Sequence, residues 1–430
     1  MVSERNEDSL IQRGAKKRVL LLASVASMID QFHMPGISLL LEMGLEVHVA
    51  CNFKEGNTCD KKRLEKLKER LTTMQARWHQ WDCPRDLRLF ALQNLAVPSA
   101  ASCARAYRQL LKWFRQYSYA WIHCQSPVGG VLARLAAKRC GIRVMYTAHG
   151  FHFYQGAPLK NWLLYYPVEK LLAYWTDMLI TVNQEDYCFA KRNLRAGNVY
   201  SIPGVGIAVE RFQRQPMDGQ LAFGKETCPE CCGTDHFFDC RRKYRIPQDS
   251  FLLLSVGELS RRKNHQAVIE ALSKLSRKDI YYIICGQGAL KEKLVKQAKE
   301  LGVGKRVRFV GYQEDTVPFY HAADLFVFPS LQEGMPVALM EAMAAGLACV
   351  VSDIRGNREL IDTGGGIRFS IKKQEQLCTA LEAMLSNHEF RNLCGRRNQN
   401  KIKSYGQQVV QERMRELYRR MNEKQPQRKN

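Results

Sequence analysis

Two successive series of short apolar segments, separated by longer helical patterns, constrain the fold of this chain most strongly. Helical patterns such as 61–72 and 104–116 lie between the segments. The first series covers 18–25, 45–51, 119–124, 143–148 and 177–182, and the second covers 251–257, 280–286, 307–310, 324–329 and 348–352. Strands that alternate with helices predict parallel sheets covered on both faces. Two series predict an α/β fold of two Rossmann-like, doubly wound domains, with ligands bound in a cleft between them.

Chain length and the positions of these segments define the predicted domains. With 430 residues the chain exceeds what one hydrophobic core ordinarily supports, so two domains are expected. A helix follows the second domain, and we expect it to return to the first. The predicted segments are a flexible tail over 1–15, the first domain over 16–212, a linker with a cysteine-rich insertion over 213–248, the second domain over 249–405, the C-terminal helix over 406–422 and a tail over 423–430.

The charge balance indicates an anionic partner. The chain has 65 Lys and Arg against 42 Asp and Glu, a formal net charge of +23, which favours nucleic acid, a membrane surface or phosphorylated substrates. The sequence contains no run of eighteen or more uncharged apolar residues, so we expect no membrane-spanning helix. The polar N-terminal residues lack the apolar core of a signal peptide. We therefore expect a cytosolic protein whose fifteen cysteines are mostly reduced.

A cysteine cluster in the predicted linker leaves two interpretations open. Cys228, Cys231, His236 and Cys240 have a spacing close to that of a small structural zinc site, although the last gap is one residue short. Either the cluster holds structural zinc or it binds no metal. An alternative hypothesis for the whole chain is a basic nucleic-acid-binding protein that uses this cluster as a zinc knuckle. That hypothesis explains the charge and the cysteines but assigns no role to the glutamates described next.

Two glutamates flank a glycine–proline turn and the start of a predicted helix. Glu333 precedes the helix, and Glu341 lies about two turns along it. Gly334 lets the backbone approach a ligand closely, and the fixed φ of Pro336 suits the first helical position. The N–H groups of Met335, Val337 and Ala338 then form an anion site at the positive end of the helix dipole. Phosphate-binding amides between two carboxylates suit a nucleotide sugar, which has a diphosphate between hydroxyl-bearing ends.

A basic loop after the strand 251–257 supplies the other side of such a site. Gly257 is followed closely by Arg261, Arg262 and Lys263, at the carboxyl edge of the predicted sheet. We expect Lys263 to act as a point charge on the diphosphate and to stabilise it as a leaving group. Arg262 or Arg261 supplies a second contact.

With these motifs, the chain from about 16 to 418 resembles the retaining glycosyltransferases of family four, which have the GT-B fold. The residues that carry the resemblance are Glu333 and Glu341, Gly257 with Lys263, the loop 285–288 and the segments 311–315 and 322–324. More narrowly, segments 147–153 and 156–162 look like transferases that build bacterial exopolysaccharide or capsule on a lipid carrier. The resemblance implies that Glu341 binds the ribose, Glu333 the donor sugar and Lys263 the diphosphate. It also implies that His149 reaches across the cleft to the sugar.

The chain departs from the family pattern at three places. Glu258 stands where an arginine is common, which is why Arg262 is our substitute cation. Asn264 replaces a glycine that often follows the lysine. The loop 23–33 lacks the paired glycines of many relatives, and we take Asp30 and His33, together with His152, as candidate acceptor contacts.

The resemblance implies a same-face displacement without a metal or other cofactor, in which the departing diphosphate helps to deprotonate the acceptor hydroxyl. The expected partners are a nucleotide sugar, most simply a UDP-sugar, and a polyprenyl-diphosphate-linked saccharide; no nucleic acid is expected. The aromatic segment 162–175 is typical either of a membrane interface or of a core helix. With the basic N-terminal half, it favours a peripheral location at the anionic inner face of the cell membrane. A GT-B enzyme of another type, such as a phosphorylase or an epimerase, is a further alternative.

Overall fold

The computed structural model describes residues 16–56, 60–84, 100–125, 127–213 and 240–423, and the statements below concern these residues. They belong to two compact units. The first comprises Met1–Ile202 and Val410–Asn430, and the second comprises Pro203–Val409.

The first unit is built on a seven-stranded parallel sheet with the order β3-β2-β1-β4-β5-β6-β7. The strands are β1 (Arg18–Val25), β2 (Glu46–Asn52), β3 (Arg77–Gln80), β4 (Trp121–Cys124), β5 (Arg143–Ala148), β6 (Met178–Thr181) and β7 (Asn198–Ser201). The helices are Ala26–Met28, Met34–Glu42, Lys61–Thr73, Ala100–Tyr117, Pro127–Cys140, Leu159–Ala173, Gln184–Asn193 and Gln407–Asn422, with a π-helix over Ile29–His33. The central strands are buried on both faces, which explains their nearly continuous apolar sequence.

The second unit has a six-stranded parallel sheet with the order β10-β9-β8-β11-β12-β13. The strands are β8 (Phe251–Val256), β9 (Ile280–Cys285), β10 (Val307–Gly311), β11 (Leu325–Phe328), β12 (Cys349–Ser352) and β13 (Gly366–Phe369). The helices are Val209–Phe212, His265–Lys274, Lys291–Glu300, Val317–Ala322, Val337–Ala344, Arg355–Leu360, Glu375–Ser386 and His388–Ile402, with short 3₁₀ turns at Gly304–Arg306 and Lys403–Tyr405. Two apolar clusters form its core.

The two parallel-sheet, Rossmann-like units confirm the predicted α/β fold class, whereas the predicted number of strands was too low. The sequence did not reveal β3, β7 or β13. Each has only four residues and lies at a sheet edge, and β3 and β7 are at least partly exposed along their whole length. An edge strand of this kind carries neither an apolar run nor a clear alternation, so its sequence resembles that of a loop.

The residue ranges of the two units differ from the predicted domain boundaries after β7. Residues 203–212, which we assigned to the first domain, belong to the second unit, because Ile207, Val209 and Phe212 are part of its apolar core. The C-terminal helix Gln407–Asn422 returns to the first unit. There the ring of Tyr418 stacks on that of Trp121, with 5.6 Å between centroids. Within the described ranges, no helix is both long and apolar enough to cross a membrane.

Several sequence expectations lie outside the described residues. They include the tail over 1–15, the segment 424–430 and the part of the insertion that contains Cys228, Cys231 and His236. Cys240 is described, and it is a buried free thiol. In the part of the chain that the structure describes, no three His, Cys, Asp or Glu side chains are grouped to hold a metal. Structural zinc in the insertion therefore stays a prediction.

Candidate active site

The carboxyl edge of the second sheet brings the predicted donor-site loops together. Gly257 follows β8 and Gly286 follows β9, and the Gly257 N–H donates to the carbonyl of Cys285 at 2.9 Å. A Cβ at Gly286 would lie 1.9 Å from the Gly257 carbonyl oxygen. Only glycine permits this approach, which holds the two loops against each other.

Lys263 and Glu333, seventy residues apart in sequence, form an ion pair at this edge. Lys263 Nζ lies 2.7 Å from Glu333 Oε1, and Arg262 NH1 lies 2.9 Å from the same oxygen. The Lys263 ammonium also sits 4.6 Å from the centre of the Phe328 ring, a cation–π contact. A Cβ at Gly257 would lie 3.1 Å from Lys263 Cε, so the glycine leaves room for the lysine stem. The structure therefore brings together Lys263 and Arg262, which we predicted at the diphosphate, and Glu333, which we predicted at the donor sugar.

The electrostatics of this group favour the charged pair. Burial raises the pKa of Glu333, but the charges and hydrogen bonds of Lys263 and Arg262 outweigh burial and hold that pKa below its usual range. Burial lowers the pKa of Lys263, and the attraction of Glu333 opposes that shift. With two cations and one carboxylate, the group carries a net charge of +1. It is therefore suited to an anionic ligand.

The backbone conformation at Asn264 explains why relatives often have a glycine after the lysine. Its backbone is left-handed, with φ 55° and ψ 34°, directly before the helix His265–Lys274. Glycine adopts this conformation without strain, and asparagine is among the residues that tolerate it best. The Asn264 side chain also donates to the Pro329 carbonyl at 3.2 Å. The departure from the family pattern therefore preserves the local backbone.

The glutamate-bearing helix begins one residue later than predicted. It spans Val337–Ala344, and Pro336 precedes it with an extended backbone at φ −80° and ψ 113°. Gly356, in the helix after β12, packs closely against the turn before the glutamate-bearing helix. A Cβ at Gly356 would lie 2.5 Å from the Gly334 carbonyl oxygen. The first N–H groups of any α-helix have no acceptor within that helix. Those of Val337 and Ala338 therefore remain candidates for binding an anion, as does the N–H of Met335 just before them.

Glu341 has a buried phenol as its partner. The Tyr320 hydroxyl lies 2.9 Å from Glu341 Oε2 and 2.9 Å from the Ala338 carbonyl oxygen. Burial raises the pKa of Glu341 to about 7, although the hydrogen bond from Tyr320 and the charge of Arg211 act to lower it. With this pKa, the protonated and ionised forms of the Glu341 carboxyl are both populated near neutral pH. A ligand that donates hydrogen bonds would favour the ionised form.

Two of the predicted residues of the first unit, His149 and His33, lie next to each other. His149 follows β5, and its ring centre lies 5.6 Å from that of His33. His149 Nε2 lies 3.3 Å from Gln125 Oε1. Burial lowers the pKa of His149 to about 4, and burial together with the nearby His149 holds the pKa of His33 well below its usual range. His33 is 6% exposed, and its Nε2 has no hydrogen-bond partner within the described structure.

The other two candidate acceptor residues, Asp30 and His152, contact side chains outside this histidine pair. The Asp30 carboxylate is paired with Arg63 at 2.5 Å and with Arg70 at 3.5 Å. The His152 ring packs against that of Tyr165 at 4.6 Å. An acceptor role for Asp30 therefore requires it to exchange an existing ion pair for a substrate contact.

Sequence reasoning missed three residues around the two glutamates. Tyr320 binds Glu341, Arg211 contributes a positive charge near it, and Arg355 Nε donates to the Glu333 carbonyl at 3.1 Å. Each lies in a different element from its partner. No local spacing links them, so only a comparison of many sequences or the tertiary structure can reveal them.

Comparison with known proteins defines the class. Residues 37–196 match the family described as a glycosyl transferase 4-like domain, and residues 237–401 match glycosyl transferases group 1. The chain therefore belongs to the glycosyltransferases that combine these two domains. It has the GT-B fold, as expected from the resemblance. This membership leaves the nucleic-acid-binding hypothesis without support.

Individual relatives place the chain more closely. It is 35% identical to the putative glycosyltransferase EpsD of Bacillus subtilis over 94% of this chain and 96% of that protein. It is 28% identical to a UDP-Gal:alpha-D-GlcNAc-diphosphoundecaprenol alpha-1,3-galactosyltransferase of Escherichia coli, over 68% of this chain and 73% of that enzyme. Among solved structures, Anabaena Alr3699/HepE in complex with UDP and glucose superposes with a TM-score of 0.71. The match has 16% identity and covers 94% of this chain and 100% of that one.

Proposed function

We propose that this glycosyltransferase moves a hexosyl or N-acetylhexosaminyl group from a UDP-sugar to a polyprenyl-diphosphate-linked saccharide, with retention of anomeric configuration, in the synthesis of bacterial exopolysaccharide or capsule. The carrying observation is the group of Lys263, Arg262 and Glu333 in front of the helix that bears Glu341. The name of the Escherichia coli relative, which specifies a UDP-sugar donor and a diphosphoundecaprenol acceptor, supports the choice of substrates.

The donor would be held by charge at its centre and by hydroxyl groups at its two ends. Lys263 and Arg262 would bind the diphosphate together with the amides at the start of the helix Val337–Ala344. Glu341 would accept the ribose hydroxyls, and Glu333 would accept hydroxyls of the sugar near the reacting carbon. Charge-assisted hydrogen bonds of this type contribute about 1.5–3 kcal/mol each, so losing one should weaken binding at least about tenfold.

The reaction step needs stabilisation of the leaving group more than it needs a strong base. As the bond between the sugar and the diphosphate breaks, negative charge grows on UDP, and Lys263 and Arg262 are the cations placed to stabilise it. The proton of the acceptor hydroxyl passes to an oxygen of the departing diphosphate, on the face where the new bond forms. We propose that these two cations, with the amides at the start of the helix Val337–Ala344, neutralise this charge without a metal ion. The roles of His149 toward the sugar and of Asp30, His33 and His152 toward the acceptor stay predictions.

Calorimetric titration of the purified chain with UDP and with a panel of UDP-hexoses and UDP-N-acetylhexosamines tests the donor. We expect micromolar binding that weakens at least about tenfold in Glu341→Ala and in Lys263→Ala. Glu292→Ala and Lys291→Ala change the same residue types on an exposed helix of the same unit and should bind as the unchanged chain does. Folded protein that binds no uridine nucleotide would contradict the proposal.

The acceptor and the stereochemistry need a separate measurement. The donor that binds most tightly is incubated with undecaprenyl-diphosphate-linked monosaccharides in detergent, and the product is analysed by NMR. Retention predicts the same anomeric configuration in the product as in the donor. An inverted product would refute the same-face displacement while leaving the donor site in place.

A further inference from the structure

Two pairs of polar side chains lie at the carboxyl ends of β4 and β5, which are parallel neighbours in the first sheet. His123 Nε2 lies 2.8 Å from Thr147 Oγ1. Side chains two residues apart along a strand share a face of the sheet. Two residues further along each segment, His149 Nε2 lies 3.3 Å from Gln125 Oε1. The second pair therefore follows the first at the carboxyl edge of the sheet, just beyond the last residues of both strands.

The two histidines of these pairs differ in how many of their ring nitrogens have a partner. Both nitrogens of His123 have one, because its Nδ1 also lies 3.2 Å from the Tyr418 hydroxyl. Within the described residues, His149 has a hydrogen-bond partner at Nε2 and none at Nδ1. The Gln125 side chain is 3% exposed, so water has little access to the amide that contacts Nε2. A buried amide therefore holds the His149 ring at one nitrogen, and the other nitrogen is available to a ligand.

The hydrogen bond to Gln125 fixes which nitrogen of the neutral His149 ring carries the proton. A carboxamide oxygen only accepts hydrogen bonds, so the Nε2 that faces Gln125 Oε1 must be the protonated nitrogen. Nδ1 then has the free lone pair, because a neutral imidazole carries a single N–H. In this tautomer, His149 can accept a hydrogen bond at Nδ1 from a hydroxyl group of a ligand.

The groups around the His149 ring keep it uncharged. Its titratable neighbours are the imidazoles of His33, at the end of the π-helix, and of His123 on β4. In the part of the chain that the structure describes, no carboxylate is paired with His149. Burial lowers the pKa of His149 to about 4, so about nine-tenths of the rings are neutral at pH 5 and nearly all are neutral at pH 7.

We propose that Gln125 is a positioning residue for sugar transfer, which holds His149 in the tautomer that accepts a hydrogen bond at Nδ1 from a hydroxyl of the transferred sugar. The inference rests on the proposed function, in which His149 contacts that sugar. As the bond between the sugar and the diphosphate breaks, positive charge develops on the sugar ring, as it does in glycoside hydrolysis. A protonated imidazole beside the ring would repel that charge, whereas a neutral imidazole presents a lone pair to the sugar.

NMR of the full chain, labelled with nitrogen-15 in its histidine rings, tests the tautomer without any substrate. Two-bond proton–nitrogen correlations distinguish the nitrogen that carries the proton from the one with the lone pair, and His149→Gln identifies the signals of this ring. We expect the Nε2–H tautomer in the unchanged chain at pH 7 and a detectable share of the Nδ1–H tautomer in Gln125→Leu. The Nδ1–H tautomer or an imidazolium in the unchanged chain would overturn the proposal, as would a tautomer that Gln125→Leu leaves unaltered.

Gln125→Glu provides an independent readout through the pH profile. A carboxylate at this position still accepts the hydrogen bond from Nε2, so the transfer rate at pH 8 should be retained. The same carboxylate stabilises the imidazolium and should raise the pKa of His149 by about 1–3 pH units. Because protonation removes the acceptor at Nδ1, the acid side of the profile should move to higher pH, measured at saturating donor and relative to the unchanged chain. A profile that does not move would contradict the contact between Gln125 and the ring.

Transfer rates and a matched control complete the test. Gln125→Leu should lower the rate of sugar transfer at least about tenfold and leave UDP binding unchanged, because UDP lacks the transferred sugar. Gln116→Leu and Gln116→Glu make the same changes at an exposed position of the same unit and should alter neither the tautomer nor the rate. A tautomer that changes without any loss of transfer would overturn the role of Gln125. The expected tautomer in a chain that binds no UDP-sugar would instead overturn the proposed function.

Discussion

Lowering the pH from 8 to 6 should weaken the binding of UDP-glucose about tenfold, through Glu341. Burial raises the pKa of this carboxyl to about 7. A carboxyl with that pKa is ionised in about nine-tenths of the molecules at pH 8 and in about one-tenth at pH 6. If only the carboxylate accepts the ribose hydroxyls, the apparent dissociation constant rises as the ionised fraction falls, which gives the tenfold change. Affinity is therefore highest above pH 7 and is lost as the pH falls through that value.

Calorimetry across this pH range measures the effect, and UDP-glucose is the suitable probe. Its diphosphate is esterified at both ends, whereas the terminal phosphate of UDP itself titrates at about pH 6 and would obscure the result. Glu341→Gln should bind weakly with little pH dependence. Tyr320→Phe removes a hydrogen bond that lowers the pKa of Glu341, so it should move the midpoint to higher pH. Wild-type affinity that stays constant between pH 6 and 8, or a midpoint that Tyr320→Phe moves downward, would refute the reasoning.

Two further predictions concern the stability of the first unit and can be followed by tryptophan fluorescence, since all six tryptophans lie between 78 and 175, in that unit. A third concerns the transfer reaction. Arg134→Met leaves the Glu169 carboxylate buried without its partner and should lower the free energy of unfolding of this unit by about 3–5 kcal/mol. Arg139→Met, at an exposed neighbouring position, should stay within about 0.5 kcal/mol. Tyr418→Ala removes a ring that is 1% exposed and should cost about 3–5 kcal/mol in urea unfolding, whereas Arg419→Ala should cost little; equal effects would contradict docking of the C-terminal helix through that ring. Chelation with EDTA should leave the rate of sugar transfer unchanged if cationic side chains alone stabilise the leaving group, and a loss that added Mg²⁺ restores would contradict this.

The helix Leu159–Ala173 illustrates where sequence reasoning stops. Its aromatic and aliphatic residues occur all around the helix, so the sequence allowed either a membrane interface or a core helix. The structure gives each set of residues its own side: Trp162 and Tyr166 pack inward, and Leu159 and Leu163 face outward. Which side of such a helix is buried depends on its neighbours, here Phe153 and Phe189 from other segments.

The candidate donor site was predictable only in part. Glu333, Glu341 and the Gly257–Lys263 loop were identified because each belongs to a local pattern at the end of a strand or the start of a helix. Their pairing was not visible, since Lys263 and Glu333 come from different crossovers of the sheet. Tyr320 was missed for the same reason.

The sequence by itself determined the fold class, the central strands and the residue types of the candidate donor site, because burial on both faces and helix-terminal chemistry leave local patterns. Tertiary structure alone decided which distant groups meet. It paired Lys263 and Arg262 with Glu333, raised the pKa of Glu341 by burying its carboxyl beside Tyr320, and returned the C-terminal helix to Trp121. These properties arise from desolvation and from contacts between segments far apart in the chain, and no periodicity of neighbouring residues records them.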